Sequence, residues 1–126
     1  MDLGRMTPKQ KEVYRDEEFL SELADLVERA KRFLWEKLEE KEKNEGIGFD
    51  LPNTENRGYI FVEKWYEEDL WYLRVAASRR WSDMFWNHFY PEDTLENIKA
   101  YLKDKSNISQ IIDSIIELSC SVDEKM

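Results

Sequence analysis

Between Arg57 and Tyr90 the chain reads RGYIFVEKWYEEDLWYLRVAASRRWSDMFWNHFY, a block that holds four of the five tryptophans. The segments on either side repeat their apolar residues every three to four positions. Aromatic and β-branched side chains suit a pleated, half-buried surface, whereas that longer period marks a helix face. The block must therefore supply the sheet, and its flanks the helices that cover it.

From Phe19 the spacing predicts a long helix. Leu20, Leu23, Val27, Ala30, Leu34 and Leu38 form one stripe, with Phe19, Leu26 and Phe33 in a row beside it. Thr7-Pro8 is one start, since Thr can accept from free first-turn amides and proline's φ suits the first helical position. Asp16, followed by Glu17 and Glu18, is a second. Either one long helix or a short turn leading into a longer one is expected. Asn44 or Gly46 ends it in the left-handed conformation. Residues 46–57 hold two of the four glycines and Pro52. They read as a loop pinned by Ile47, Phe49 and Leu51, with room for a short edge strand.

Strands are expected at 58–66, 70–77 and 81–90, with Glu67-Glu68-Asp69 as the first turn. Trp81, Met84, Phe85 and His88 also fit a helical face. A three-residue turn sets Trp65 against Trp71 and Tyr66 against Leu70. Tyr59, Phe61, Glu63, Trp65, Trp71, Leu73, Val75 and Ala77 then form the core face. Ile60, Val62, Lys64, Tyr66, Leu70, Tyr72, Arg74 and Ala76 form the other, and a slip of one residue exchanges the faces. Asp93 and Glu96 have capping-box spacing before Leu95, Ile98 and Leu102. Ser106 or Asn107 starts a last helix with Ile108, Ile111, Ile112, Ile115 and Leu118 inward. Residues 1–6 and 122–126 fray. The expectation is one α+β domain over residues 1–126, in the order α-β-β-β-α-α. The long helix on one sheet face and the two C-terminal helices on the other would make three layers.

The net charge of −9 and pI near 4.7 disfavour direct nucleic-acid and anionic-membrane binding and favour a basic protein surface. With Cys120 as the one cysteine, no intramolecular disulfide or cysteine-based zinc site is expected. The sequence starts without the apolar run of a signal peptide or the Met-Gly of myristoylation, and no stretch nears the ~20 apolar residues that span a bilayer. A cytoplasmic location is expected. Gly46 and Gly48 lack the remainder of a phosphate loop, no Gly-x-Ser-x-Gly turn exists, and a lone His88 allows no histidine metal pair. The expectation is a non-enzyme without cofactor or metal. Cys120 reads as a small buried hydrophobe.

An acidic domain with more rings than one sheet face can hold points to partner binding, where Tyr and Trp are over-represented. Its size, charge and element order resemble those of anti-CRISPR and anti-restriction proteins that imitate nucleic-acid charge, and of immunity proteins that neutralise toxic nucleases. The resemblance implies an inhibitor occluding a basic site. Glu63, Glu67, Glu68 and Asp69 would meet lysine or arginine, with Tyr66 and Tyr72 as anchors. A homo-oligomeric structural or regulatory protein, such as a homodimer, is one alternative. Another is a small-molecule binder with a pocket lined by Arg79, Trp81, Trp86 and His88. Arg79 and Arg80 could clamp an anion or pair with neighbouring acids.

Overall fold

A computed structural model of the protein describes residues 6–64, 69–81, 85–90 and 92–125, without the side chains of Phe89 and Lys125. The elements are α1 (Pro8–Arg15), α2 (Glu17–Glu40), β1 (Glu45–Asp50), β2 (Asn56–Lys64), β3 (Trp71–Arg79), β4 (Trp86–Phe89), α3 (Leu95–Lys103), a 3-10 turn at Lys105–Asn107 and α4 (Ile108–Lys125). The class is α+β, with four strands where three were expected.

Both helix starts are used. Thr7 and Gln10 form a reciprocal capping box on α1. The Asp16 backbone is extended, and its carboxylate accepts from the Phe19 amide to open α2. At the other end the expectation fails. Lys41 takes an extended φ of −150°, and Asn44 instead accepts the Lys64 amide on its side chain. Gly46 lies inside β1, the short edge strand for which residues 46–57 had room.

The sheet is an antiparallel meander in the order β1-β2-β3-β4. The β2–β3 register pairs Lys64 with Trp71 and Ile60 with Val75, one residue away from the expected pairing. Its physical reason is burial. In this register Ile60, Val62, Leu73, Val75 and Ala77 share one face and all lie in the core, while Glu63 and Arg74 share the other. Tyr59, Phe61 and Glu63 are therefore on the outer face, contrary to expectation, and Trp71, Leu73 and Val75 are inner as expected. The expected contacts of Trp65 and Tyr66 fall outside the described residues. Of the 81–90 strand, Trp86–Phe89 forms β4.

All the long helices cover one face. A single core joins Leu23, Val27, Leu34 and Leu38 of α2, Ile98 and Leu102 of α3, and Ile111, Ile115 and Val122 of α4 to the inner sheet residues. The protein thus has two layers, not three. Burial of Ile60, Val62, Leu73 and Val75 under the helices is worth about 1.5–3 kcal/mol for each side chain. Leu118 and Val122 carry α4 on through Lys125, so its end is docked rather than frayed. Thr94, not Asp93, caps α3 by accepting from the Asn97 amide. Asp93 accepts from the Thr94 amide and the Asn97 side chain.

Candidate functional site

The sheet face turned away from the helices carries a row of stacked groups. Alternation puts Arg57, Tyr59, Phe61 and Glu63 of β2 beside Ser78, Ala76, Arg74 and Tyr72 of β3. The Arg57 guanidinium lies 5.4 Å from the Tyr59 ring centre. Tyr59 stacks on Phe61 with centroids 5.8 Å apart and planes 8° from parallel. Arg74 covers Phe61 at 4.2 Å. Both Nε and Nη2 of Arg74 donate to Oε1 of Glu63, at 3.1 and 2.6 Å, while the Tyr72 hydroxyl donates to Oε2 at 2.8 Å. Arg74 Nη1 also reaches the Asn87 side chain on β4. Phe85 closes the row edge-on against Tyr59, 5.1 Å between centroids.

The row reaches over β1 because that strand lacks side chains where it passes. Gly46 opposes Phe61 and Gly48 opposes Tyr59. A Cβ on Gly46 would lie 2.3 Å from Phe61 Cδ1, and one on Gly48 2.8 Å from Tyr59 Cε1. The rings occupy the space that β1 side chains would fill. With Arg57, Glu63, Arg74, Asn44 and Glu45 they line a shallow groove of about 560 Å³.

Electrostatically the face is balanced, each of its acids set against a cation. Glu63 is neutralised by Arg74, and its carboxylate adds to desolvation in raising the pKa of the Tyr72 phenol above its ordinary value. Asp50 faces Arg57 and Arg80 at 3.2 and 3.6 Å. Asp69 projects into solvent, its side chain 96% exposed and 3.7 Å from Lys64. Helix α2 carries part of the excess negative charge, with eight acids against four bases.

Of the expected partner-binding set, Glu63 and Tyr72 are joined on this face and Asp69 stands at its end. Tyr66, Glu67 and Glu68 lie outside the described residues. Arg57, Tyr59, Phe61 and Arg74 were not singled out. The signal for them was the spacing of Gly46 and Gly48, two apart in a strand and matched to two rings two apart in the next.

The second expected set does not converge on a cavity. Arg79 turns toward the helices and pairs with Glu55 and Asp123, at 3.2 and 3.4 Å. Trp86 packs on the core, and His88 Nε2 lies 3.5 Å from Glu117 Oε2 on α4. Trp81 is 97% exposed with φ at 131°. Arg79 and Arg80 thus take the acid-pairing role. Cys120 is buried, and desolvation raises its thiol pKa, which leaves little nucleophilic thiolate.

Elsewhere, Lys31 is 2% exposed. Its ammonium donates to the Asp104 carbonyl at 2.6 Å and the Asn107 side chain at 2.8 Å, and burial lowers its pKa. Those bonds fix the turn between α3 and α4 against α2, so its placement has a structural explanation. Among the described residues no group of three His, Cys, Asp or Glu could hold a metal ion, and no helix is long and apolar enough to cross a membrane.

Fold and face together define a two-layer α+β protein with one sheet surface left uncovered by helices among the described residues. No known protein family, no curated protein and no solved structure matches the chain.

Proposed function

We propose that this chain is a non-enzymatic, cytoplasmic protein-binding module that sets its uncovered sheet face on a basic site of a partner protein. It acts there as an inhibitor, of the anti-CRISPR, anti-restriction or toxin-immunity kind, by covering a nucleic-acid-binding surface. The observation that carries this reading is the pre-stacked row Arg57–Tyr59–Phe61–Arg74 on a sheet face that no helix of the described residues covers. Rings fixed by their neighbours lose little conformational freedom on binding, which suits them as anchors. The net charge of −9 would speed encounter with a cationic partner and repel competing phosphate chains. Glu63 acts within the Arg74–Tyr72 network as a positioning group, and Asp50 and Asp69 stand at the margin of the face, each beside a cation.

The test is affinity capture of the partner with the wild-type protein and with Tyr59→Ala/Phe61→Ala. The captured protein's nucleic-acid affinity is then measured by fluorescence anisotropy across a salt series. The expected result is competition with nucleic acid that weakens as salt rises and is lost in the double variant. A partner that still binds nucleic acid when saturated with this protein would refute occlusion. A homo-oligomeric role is the second reading, favoured by the fully exposed Trp81. Light scattering that shows a dimer dissociating on Trp81→Ser would support it.

A further inference from the structure

β1 is an edge strand whose one neighbour is β2. The Leu51 amide donates to the Asn56 carbonyl, which fixes the phase of the ladder. In an antiparallel pair, opposed residues alternate between exchanging both hydrogen bonds and exchanging none. With the register Glu45↔Val62, Ile47↔Ile60 and Phe49↔Gly58, those three β1 residues direct their backbone groups to β2. Gly46, Gly48 and Asp50 direct theirs outward, where no hydrogen bond is made to them among the described residues.

Natural sheets guard such edges with proline, lysine, bulges or very short strands. The opposite edge, β4, has four residues. β1 has six, with no proline, no lysine and an unbroken register. Two of its three outward-directed residues are glycines, so nothing screens the main chain. The same glycines bring the Tyr59 and Phe61 rings over β1 toward that edge. Charge selects the occupant. Local ion pairs offset much of the acid at this edge, Asp50 facing Arg57 and Arg80, Glu45 facing Lys43 and Glu39 facing Lys99, and the selection comes from the net charge of −9 on the whole chain. A second copy of this acidic chain would meet its own charge there.

We propose that β1 accepts an extended, lysine- or arginine-bearing segment of the partner protein as a fifth strand. Gly46, Gly48 and Asp50 supply the hydrogen bonds, and an apolar residue of the added strand rests on Tyr59 and Phe61. This inference rests on the protein-binding reading above and deepens it by naming the mode of attachment.

The experiment titrates the 15N-labelled protein with three synthetic hexapeptides: alternating lysine and valine, alternating glutamate and valine, and the lysine peptide with a central proline. Shift changes and amide exchange are read residue by residue. The lysine–valine peptide is expected to slow exchange at Gly46, Gly48 and Asp50 by about tenfold or more. Glu45, Ile47 and Phe49, already bonded to β2, should change little, and the other two peptides should do neither. Asp50→Pro, which removes an outward N–H and leaves the β2 ladder intact, should weaken the effect. Phe61→Ala serves as a second variant should Asp50→Pro fail to fold. No response at β1 to millimolar lysine–valine peptide overturns strand addition. Salt-sensitive binding of that peptide on another surface overturns it too, but leaves the acidic-module reading standing. Equal binding of the glutamate peptide overturns the basic partner and that reading with it. Concentration-dependent protection of the three amides without peptide assigns the edge to a second copy and refutes the proposal.

Discussion

Gly46→Ala should destabilise the protein, and Phe61→Ala should remove that cost. The added Cβ would lie 2.3 Å from Cδ1 and 2.8 Å from Cε1 of Phe61, far inside the roughly 3.5–4 Å optimum for carbon pairs. The outer face is open, so the ring can swing away, but it must move by more than about 1 Å. That movement forfeits the stack on Tyr59, about 0.5–1.5 kcal/mol. It also forfeits the Arg74 contact, about 0.5–1 kcal/mol at a partly exposed site. Against this, exchanging glycine for alanine in a strand gains roughly 0.5–1 kcal/mol of backbone entropy. The losses win, leaving a net destabilisation of about 1 kcal/mol by these same magnitudes. In a Phe61→Ala background nothing obstructs the methyl, and Gly46→Ala should stabilise by roughly 0.5–1 kcal/mol. Urea unfolding of the four proteins, followed by far-ultraviolet circular dichroism with m unchanged, gives a coupling energy of about 1–2.5 kcal/mol. An equal effect of Gly46→Ala in both backgrounds would refute the claim that the ring occupies the glycine's space.

Three further outcomes are expected. Lys31→Met keeps the buried stem but leaves the Asp104 carbonyl and Asn107 side chain without their donor; it should cost about 1–3 kcal/mol, read as a lower Tm, and an unchanged Tm would deny the ammonium its bracing role. Desolvation raises the pKa of Tyr14, Tyr72, Tyr90 and Tyr101. Above about pH 10 the unfolded chain therefore loses phenol protons first, and stability should fall as pH rises through the folded values. Lys31, with its lowered pKa, acts in the opposite sense as one group against four. Unfolding midpoints that are flat or rising between about pH 10 and 12 would contradict this. Trp81→Gly should stabilise by roughly 1 kcal/mol, since a bulky residue at φ 131° is strained where glycine is not; a loss of stability would mean that the exposed indole is held by something that offsets the strain.

Helices were legible because their signals are local. The starts at Thr7 and Asp16, the stripe from Phe19 to Leu38 and the isoleucines of α4 each report a repeat that burial then enforces. Phe33 is the exception, 37% exposed although in phase with the stripe's margin. The inner face of β3 was legible for the same reason. The face of β2 was not, because both of its faces are apolar: Ile60 and Val62 on one, Tyr59 and Phe61 on the other. Charge alone had to decide, and Glu63 and Arg74 neutralise each other on the outside while Lys64 escapes at the strand end. β1 was obscured by glycines, which signal turns more often than ring seats. Of the candidate site, Glu63, Tyr72 and Asp69 were named from the sequence, but Glu63 and Tyr72 were expected on opposite faces of the sheet. The stacked row was not, since it depends on a register that the turn residues left open.

The meander has a bearing on how the protein is made. Each strand pairs with its neighbour in the chain, so the sheet can assemble on the ribosome as it emerges. Its inner surface, however, is completed only by α4, which follows all four strands in the chain. The ties that clamp that helix down, Tyr14 to Asp113 and Asn56 to Ser119 and Asp123, bridge 99, 63 and 67 positions of the sequence. Until they close, the nascent chain displays Ile60, Val62, Leu73 and Val75 to the cell. A premature stop ahead of Ile111 would therefore release a preassembled ribbon with the part of its greasy side that α4 covers left bare, prone to aggregate and open to proteases.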